Sequence, residues 1–353
     1  MKPNSLKRNA RNSITLRLMI LTGAGVLSVS DGSAAHAVAY APPTAPAPTA
    51  PAPGGPDAPQ RGLGGVAGKD ESRLEVVSTG AEPRERFRVA PKVGDRFAMS
   101  VRQSMRMETS LNGTSLPMRA LPASIIDTEG RVTSVSEQSG EVSLDMSVVS
   151  AEIDAGEGVD AAVARQVGEA TRAMKGTRIT STLSSSGRTL ASSVTVPDSV
   201  PREMRDAITQ TTRTASDAAV PFPDEPLGVG AVWNAVTPIE RSGLRLTQSA
   251  RYEITEITPE RVGLRITMSQ QAPRQKVSAP GVEAELLSMD GTGEGTSVLA
   301  RGIMMPLAST MRVRIRTQTQ VADPQGATAK IDQTVSVDLV ITGTAGANGT
   351  KAK

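Results

Sequence analysis

Two short segments set carboxylates on glycine-rich backbone, the raw material of an oxygen-ligand cation site. Asp154, Glu157 and Asp160 lie in "DAGEGVD", and Asp290 and Glu294 lie in "MDGTGEG". Such loops could hold Ca²⁺. Neither has the D-x-[DN]-x-[DN]-G spacing of a calcium-binding loop, and glycine with acid is also ordinary turn composition. No metal site is assigned. Paired carboxylates can also cleave glycosidic bonds, but sugar sites usually add aromatic platforms. Beyond the N-terminal segments the chain offers only Phe87, Phe97, Phe222, Trp233 and Tyr252.

A third arrangement is basic. Arg312, Arg314 and Arg316 share one parity of an alternating run, which would line three guanidinium groups on one sheet face. They could meet phosphate, lipid headgroups or an acidic polymer partner. The competing account is a solvated face, or an edge guarded by charge. A fourth arrangement is "PFPDEPLGVGAVWNAV" (Pro221–Val236). Its Gly-x-Gly step resembles a dinucleotide fingerprint, but Trp233 stands where the third glycine belongs and a strand pattern follows instead of a helix. Pro223, Gly228, Gly230 and Trp233 therefore read as a structural motif: the proline keeps the chain extended, the glycines permit a tight entry, and the indole plugs a core.

What the chain lacks excludes more. It has no cysteine, and its single histidine, His36, sits in an N-terminal leader. That removes Ser-His-Asp and Cys-His nucleophiles, thiolate or imidazole zinc sites, and imidazole proton shuttles. No catalytic residue and no cofactor site is assigned.

The leader is read from Lys2, Lys7, Arg8 and Arg11, then an apolar stretch from Leu18 to Val29, then Ala35-His36-Ala37. Basic, apolar and small residues in that order predict a secretory signal peptide over 1–37, in a stretch too short for a comfortable span; a retained anchor is the alternative. No cysteine follows, so the protein is not expected to be lipid-anchored. The leader holds five basic residues and one acidic, so of 39 basic and 36 acidic residues the rest keeps 34 and 35, a net charge of −1. A nucleic-acid partner is not implied. The expected location is the periplasm, the cell surface or the medium.

Within residues 38–85, Ala41–Gln60 reads "APPTAPAPTAPAPGGPDAPQ", and glycine and charge follow it. Too little apolar surface is present for a core, and the proline spacing predicts a disordered linker with an extended spacer roughly 60 Å long. A β-rich domain is expected over 86–344, followed by a polar, disordered tail at 345–353.

The elements that must position these residues are mostly strands. In Arg96–Leu111, Phe97, Met99, Val101, Met105 and Met107 share one parity, and Arg102, Arg106 and Glu108 share the other. Asn112-Gly113 favours a hairpin turn. Val142–Val148 alternates, then the phase slips to Val149, Ala151 and Ile153, which predicts a β-bulge. Val159, Val163, Val167, Ala170 and Met174 predict a helix stopped by Gly176, and a second helix fits Pro201–Ala218. Further strands are predicted at Leu244–Ile254, Val262–Met268, Leu307–Val321 and Val335–Ile341. "LASSVTV" at Leu190 echoes "LASTMRV" at Leu307, which leaves open a duplication into halves 86–220 and 221–344, against strand composition alone. Met99, Met105, Met107, Met146, Met268, Met304, Met305 and Met311 fall in or beside strands, suiting either a cavity for varied apolar ligands or simple core filling.

"FPDEPLGVGAVW" resembles a segment of a family of bacterial secreted proteins with no known activity. Those carry a Pro-rich approach and Gly-x-Gly-x-x-Trp in a β-rich domain. "GTGEGTSVLARGIMMPLAS" (Gly291–Ser309) is similar to that family's Gly-rich strand-turn-strand segment, with Ala300 where the family often has Asp. The resemblance implies export and β structure.

The expected fold is a β-rich α+β fold, a strongly curved antiparallel sheet or partly open barrel with two helices in its first half. The expected function is a non-enzymatic exported binding module with an apolar interior for a hydrophobic or lipid-like small molecule. The alternative is a structural or interaction protein that meets an envelope component from its Ala/Pro stalk.

Overall fold

Long uninterrupted alternation produces long strands, and almost every one of them finds two neighbours. The computed structural model describes residues 73–201, 205, 208, 209, 220–241, 244–279, 282–322 and 328–346. The first half holds β1 (Arg73–Ser78), β2 (Arg96–Leu111), β3 (Thr114–Ser115), β4 (Arg119–Val135), β5 (Val142–Asp154), α1 (Ala161–Arg172), β6 (Arg178–Leu183) and β7 (Thr189–Thr195). The second holds β8 (Val232–Arg241), β9 (Leu244–Ile257), β10 (Arg261–Ala272), β11 (Gln275–Ala279), β12 (Val282–Ala300), β13 (Pro306–Ala322) and β14 (Thr328–Gly346).

All strands form one 14-stranded antiparallel sheet in the order β1-β8-β9-β10-β12-β13-β14-β2-β4-β5-β6-β7, with β11 beside β12 and β3 beside β2. The sheet does not close on itself. The two halves of the chain meet where β14 pairs with β2 from Ile331↔Leu111 to Gly346↔Arg96, so the last long strand is zipped to the first.

One face of this sheet is the inside. Ala300 and Ile303, at the β12–β13 turn, share a cluster with Leu183 of β6, although several strands separate β12 from β6 in the sheet. Only strong curvature brings them together. β12 carries Gly291, Gly293 and Gly295 on the inner face, opposite Ile315, Val313 and Met311 of β13. A Cβ at Gly295 would lie 2.1 Å from the Thr310 carbonyl oxygen, so no side chain fits without moving the backbone of β13.

Several sequence expectations meet their structure here. Asn112 and Gly113 turn the β2–β3 hairpin with positive φ of 50° and 80°. The bulge sits at Val149, skipped between Asp127↔Ser150 and Thr128↔Val148. Asp160 caps α1, its carboxylate accepting from the amides of Ala162 (2.8 Å) and Val163 (3.1 Å). The helix lies against β5 on the inner face, near Val148, Ala151 and Ile153, in a cluster shared with Met174, Val200 and Ile208.

Others are corrected. Two helices are expected in the first half, but only α1 stands among the described residues; the second, Pro201–Ala218, lies mostly outside them. Sheet structure begins at Arg73, inside the segment read as linker, because Leu74 and Val76 reach the core beside Trp233. β14 continues to Gly346, two residues beyond the expected domain end. "MDGTGEG" is no loop: it is the middle of β12, with its acids facing out and its glycines facing in.

Gly295→Ala should therefore destabilise the fold by about 1–3 kcal/mol through overpacking. Gly291→Ala, whose Cβ would meet the flexible Gln270 side chain at 3.1 Å, should cost less. Urea midpoints of the two variants check the ranking.

Candidate functional site

The Pro-rich, Gly-x-Gly-x-x-Trp motif lies at one end of the sheet, under a strap formed by Thr79–Asp95. The strap's amides bind three separate turns: Ala81 donates to Val229 O (2.8 Å), Val89 to Ser185 O (2.8 Å) and Ala90 to Gly302 O (2.7 Å). Glu85 and Leu227 exchange both backbone bonds. Gly228 is required because a Cβ there would sit 1.8 Å from the Ala81 carbonyl oxygen, and Gly230 because its φ is +79°. Pro223 is buried and offers its carbonyl to Arg88, whose guanidinium also pairs with Asp224 (2.7 Å). Arg301 joins Glu85 (2.5 Å) to the Thr258 carbonyl (2.9 Å).

Trp233 is fully buried and donates its indole N–H to Pro221 O at 3.0 Å. It stacks on Tyr252 (5.2 Å, 18°) and touches Phe222, which touches Phe87. Four of the chain's six aromatic side chains make this single column. The motif thus packs its own indole into the core and ties the strap to the sheet.

The arginine row faces outward, as its parity requires, with carboxylates on the neighbouring strands. Arg312 donates to Asp338 (2.8 Å), which raises its pKa further, and Glu294 stands across from it. Arg314 lies 4.0 Å from Glu108, and Arg316 is the cross-strand partner of Asp290. The acids of "MDGTGEG" and the arginines of β13 are therefore two halves of one charge ladder. In "DAGEGVD", Asp160 is spent on the helix cap. The Arg102 guanidinium (2.6 Å) and then the Gly156 amide hold Asp154 below the usual carboxylate range. Among the described residues no group of three or more acids is placed to hold a metal.

The arrangement with unspent chemical potential is apolar. Beside the buried Met105, Leu264, Ile266 and Ser297, three consecutive inner-face rows across β2, β14, β13, β12 and β10 hold half-buried residues. They are Val101, Ile341 and Ser309; then Gln103, Leu339, Met311 and Gly295; then Val337, Val313, Gly293 and Met268. Met99 flanks Val101 on β2. Buried residues stand beyond this patch at both ends, Phe97 and Leu299 on one side and Met107, Val335 and Ile315 on the other. The inner positions of β2, β9, β10, β12, β13 and β14 carry no Asp, Glu, Lys or Arg among the described residues. Met268 and Met311 lean over the bare backbone of Gly293 and Gly295, each sulfur within about contact distance of where a Cβ would be, at 3.0 and 3.1 Å. The strands and methionines of this patch were legible in the sequence. The glycine floor was not, although glycine at every second position is a one-face pattern.

A second concavity, about 340 Å³ in volume, lies on the outer face of β4–β7, lined by Thr133, Ser143, Asp145, Thr180, Thr182 and Ser193 among others. Its hydroxyls pair with one another, as Thr180 does with Ser193 (3.1 Å).

No protein-family model matches the chain, and no curated protein matches it. Among solved structures it is similar to the outer membrane protease OmpT from Escherichia coli, at 8% identity and a TM-score of 0.20 over 76% of this chain and 100% of that one. It is also similar to an outer membrane channel from Pseudomonas putida F1, at 8% identity and a TM-score of 0.17 over 72% and 97%. Likenesses this slight carry no argument for fold, location or activity. Among the described residues no helix is long and apolar enough to cross a membrane.

The aromatic column supplies two measurements. Trp233 is the sole tryptophan, so native emission should be blue-shifted and resist acrylamide quenching, and Trp233→Phe should cost about 1–3 kcal/mol by stranding the Pro221 carbonyl. Burial pushes the Tyr252 phenol up from 10.0 to about 12. The folded state then holds this proton more tightly than the unfolded state. The stabilisation is complete below pH 10 and is lost as pH rises toward 12, at up to about 1.4 kcal/mol per pH unit. Tyr252→Phe should remove that slope from a series of urea titrations.

Proposed function

We propose that this chain is an exported, non-enzymatic binding module that takes a hydrophobic or lipid-like ligand on the inner face of its sheet. The half-covered patch centred on Leu339 and Met311 carries the reading. Everything around it is packed, while the patch itself leaves apolar surface in water. Covering such surface yields about 0.8 kcal/mol per buried methylene, enough for useful affinity from a short alkyl chain. Flexible thioethers at Met99, Met268 and Met311 can adapt to ligands of different outline.

Charge placement supports the same reading. Ionised groups gather on the outer face, where they pair, and the inner strands offer none to a polar substrate. Beyond the leader the chain has neither histidine nor cysteine with which to transfer a proton or attack a carbonyl. The basic-apolar-small leader and the resemblance to secreted proteins support export.

The test is titration of the purified chain with the neutral fluorophore N-phenyl-1-naphthylamine. Saturable enhancement is expected. Leu339→Lys, which puts a charge in the patch, should weaken binding at least about tenfold given the cost of desolvating an unpaired charge. Arg314→Glu on the outer face should leave binding unchanged. Native tryptophan emission in both variants verifies the fold. No saturable binding by the parent chain, or equal binding by Leu339→Lys, overturns the proposal.

A further inference from the structure

The chain has 14 methionines and no cysteine, so thioether is its only sulfur chemistry. The structure divides the strand methionines into two environments. Met105, Met107 and Met289 are buried at 8%, 5% and 2% exposure, and the Met107 sulfur accepts from Gln333 Nε2 at 2.8 Å. Met99, Met268 and Met311 are half-buried on the apolar patch, where the inner positions of the neighbouring strands carry no ionised side chain among the described residues. Met268 and Met311 flank β12 over its glycine backbone and are partly buried against the core around Trp233, at the edge of the patch a ligand would touch.

We infer that Met99, Met268 and Met311 are oxidant-modification sites through which peroxide or hypohalous acid switches the patch from apolar to polar and releases its ligand. This rests on the ligand reading above. With hydrogen peroxide, a sulfur lone pair attacks one peroxide oxygen and the O–O bond breaks. A sulfur–oxygen bond forms, and the other oxygen leaves as water. The sulfur is oxidised by two electrons and the peroxide is reduced by two. The sulfoxide that results is a strong acceptor among strand positions that carry no charged donor, so a hydrocarbon seated against it would bury an unsatisfied polar group. Methionine sulfoxide reductases reverse the change. The buried methionines serve as an internal contrast, because access and not sequence distinguishes them.

The experiment treats the full chain with graded hydrogen peroxide, maps oxygen gain at each methionine by peptide mass spectrometry, and titrates N-phenyl-1-naphthylamine in parallel. Met118, at 62% exposure, together with Met304 and Met305 in the β12–β13 turn, should also oxidise, but without effect on binding. Oxidation of Met99, Met268 and Met311 should precede that of Met105, Met107 and Met289. Probe affinity should fall about ten- to a hundredfold, the usual cost of one buried unsatisfied polar group, and recover after reductase treatment. The triple variant Met99→Leu, Met268→Leu, Met311→Leu, compared with its own untreated affinity whatever that is, should lose nothing to peroxide, whereas Met118→Leu should respond like the parent.

Affinity that survives full oxidation of the three sites overturns the switch while leaving the ligand reading intact. So does a triple Leu variant that loses affinity to peroxide as the parent does, or oxidation of the buried methionines first. A parent chain that never binds the probe overturns the ligand reading itself, and the oxidation map then still reports whether the three thioethers are the accessible ones.

Discussion

The pairing of β14 with β2 is the constraint from which the rest of the molecule follows. It joins the two halves of the chain along the full length of their longest common seam. With that seam in place, strands from β8 through β7 form one surface, and the parity of each strand is fixed by its neighbour. A slip of one residue anywhere along it would send Arg102, Arg106 and Asp338 inward and Met105, Val337 and Leu339 outward. The separation of charge from hydrocarbon is thus a property of register more than of any single contact.

Curvature then has to be built into a sheet whose strands would otherwise continue flat and open. Three devices supply it: the glycine floor of β12, the Val149 bulge, and the cover of Phe97 over Gly130, where a Cβ would fall 2.3 Å from the ring. The strap fixes the result by tying turns from distant parts of the sheet to one short segment. The exposed ion pairs contribute little to this by comparison, since surface pairs are worth about 0–1 kcal/mol each. Their role on the outer face is solvation and register.

Strands with clean alternation were legible in the sequence, and so were the bulge, the Asn112-Gly113 turn and α1, because each depends on local periodicity or turn chemistry. β4 was not. Pro122 and the "DTEG" run imitate a loop, and only the structure shows that Pro122 sits at a register shift and that Phe97 roofs the glycine. β12 was hidden in the same way, its glycines and acids reading as a turn until cross-strand partners were known. The arginine row was visible as a pattern, but the carboxylates beside it, Asp338, Glu294, Asp290 and Glu108, come from other strands and have no local signature. The half-covered patch is a statement about what does not lie over a surface, which periodicity cannot express.

The seam between β2 and β14 also governs the order of events during synthesis. β2 is among the first strands to emerge and its partner is the last, so the central part of the sheet has an unmatched border until the whole domain is available. Contacts of such sequence separation slow folding. A chain delivered N-terminus first through a narrow channel would therefore complete this seam only once the far end arrived.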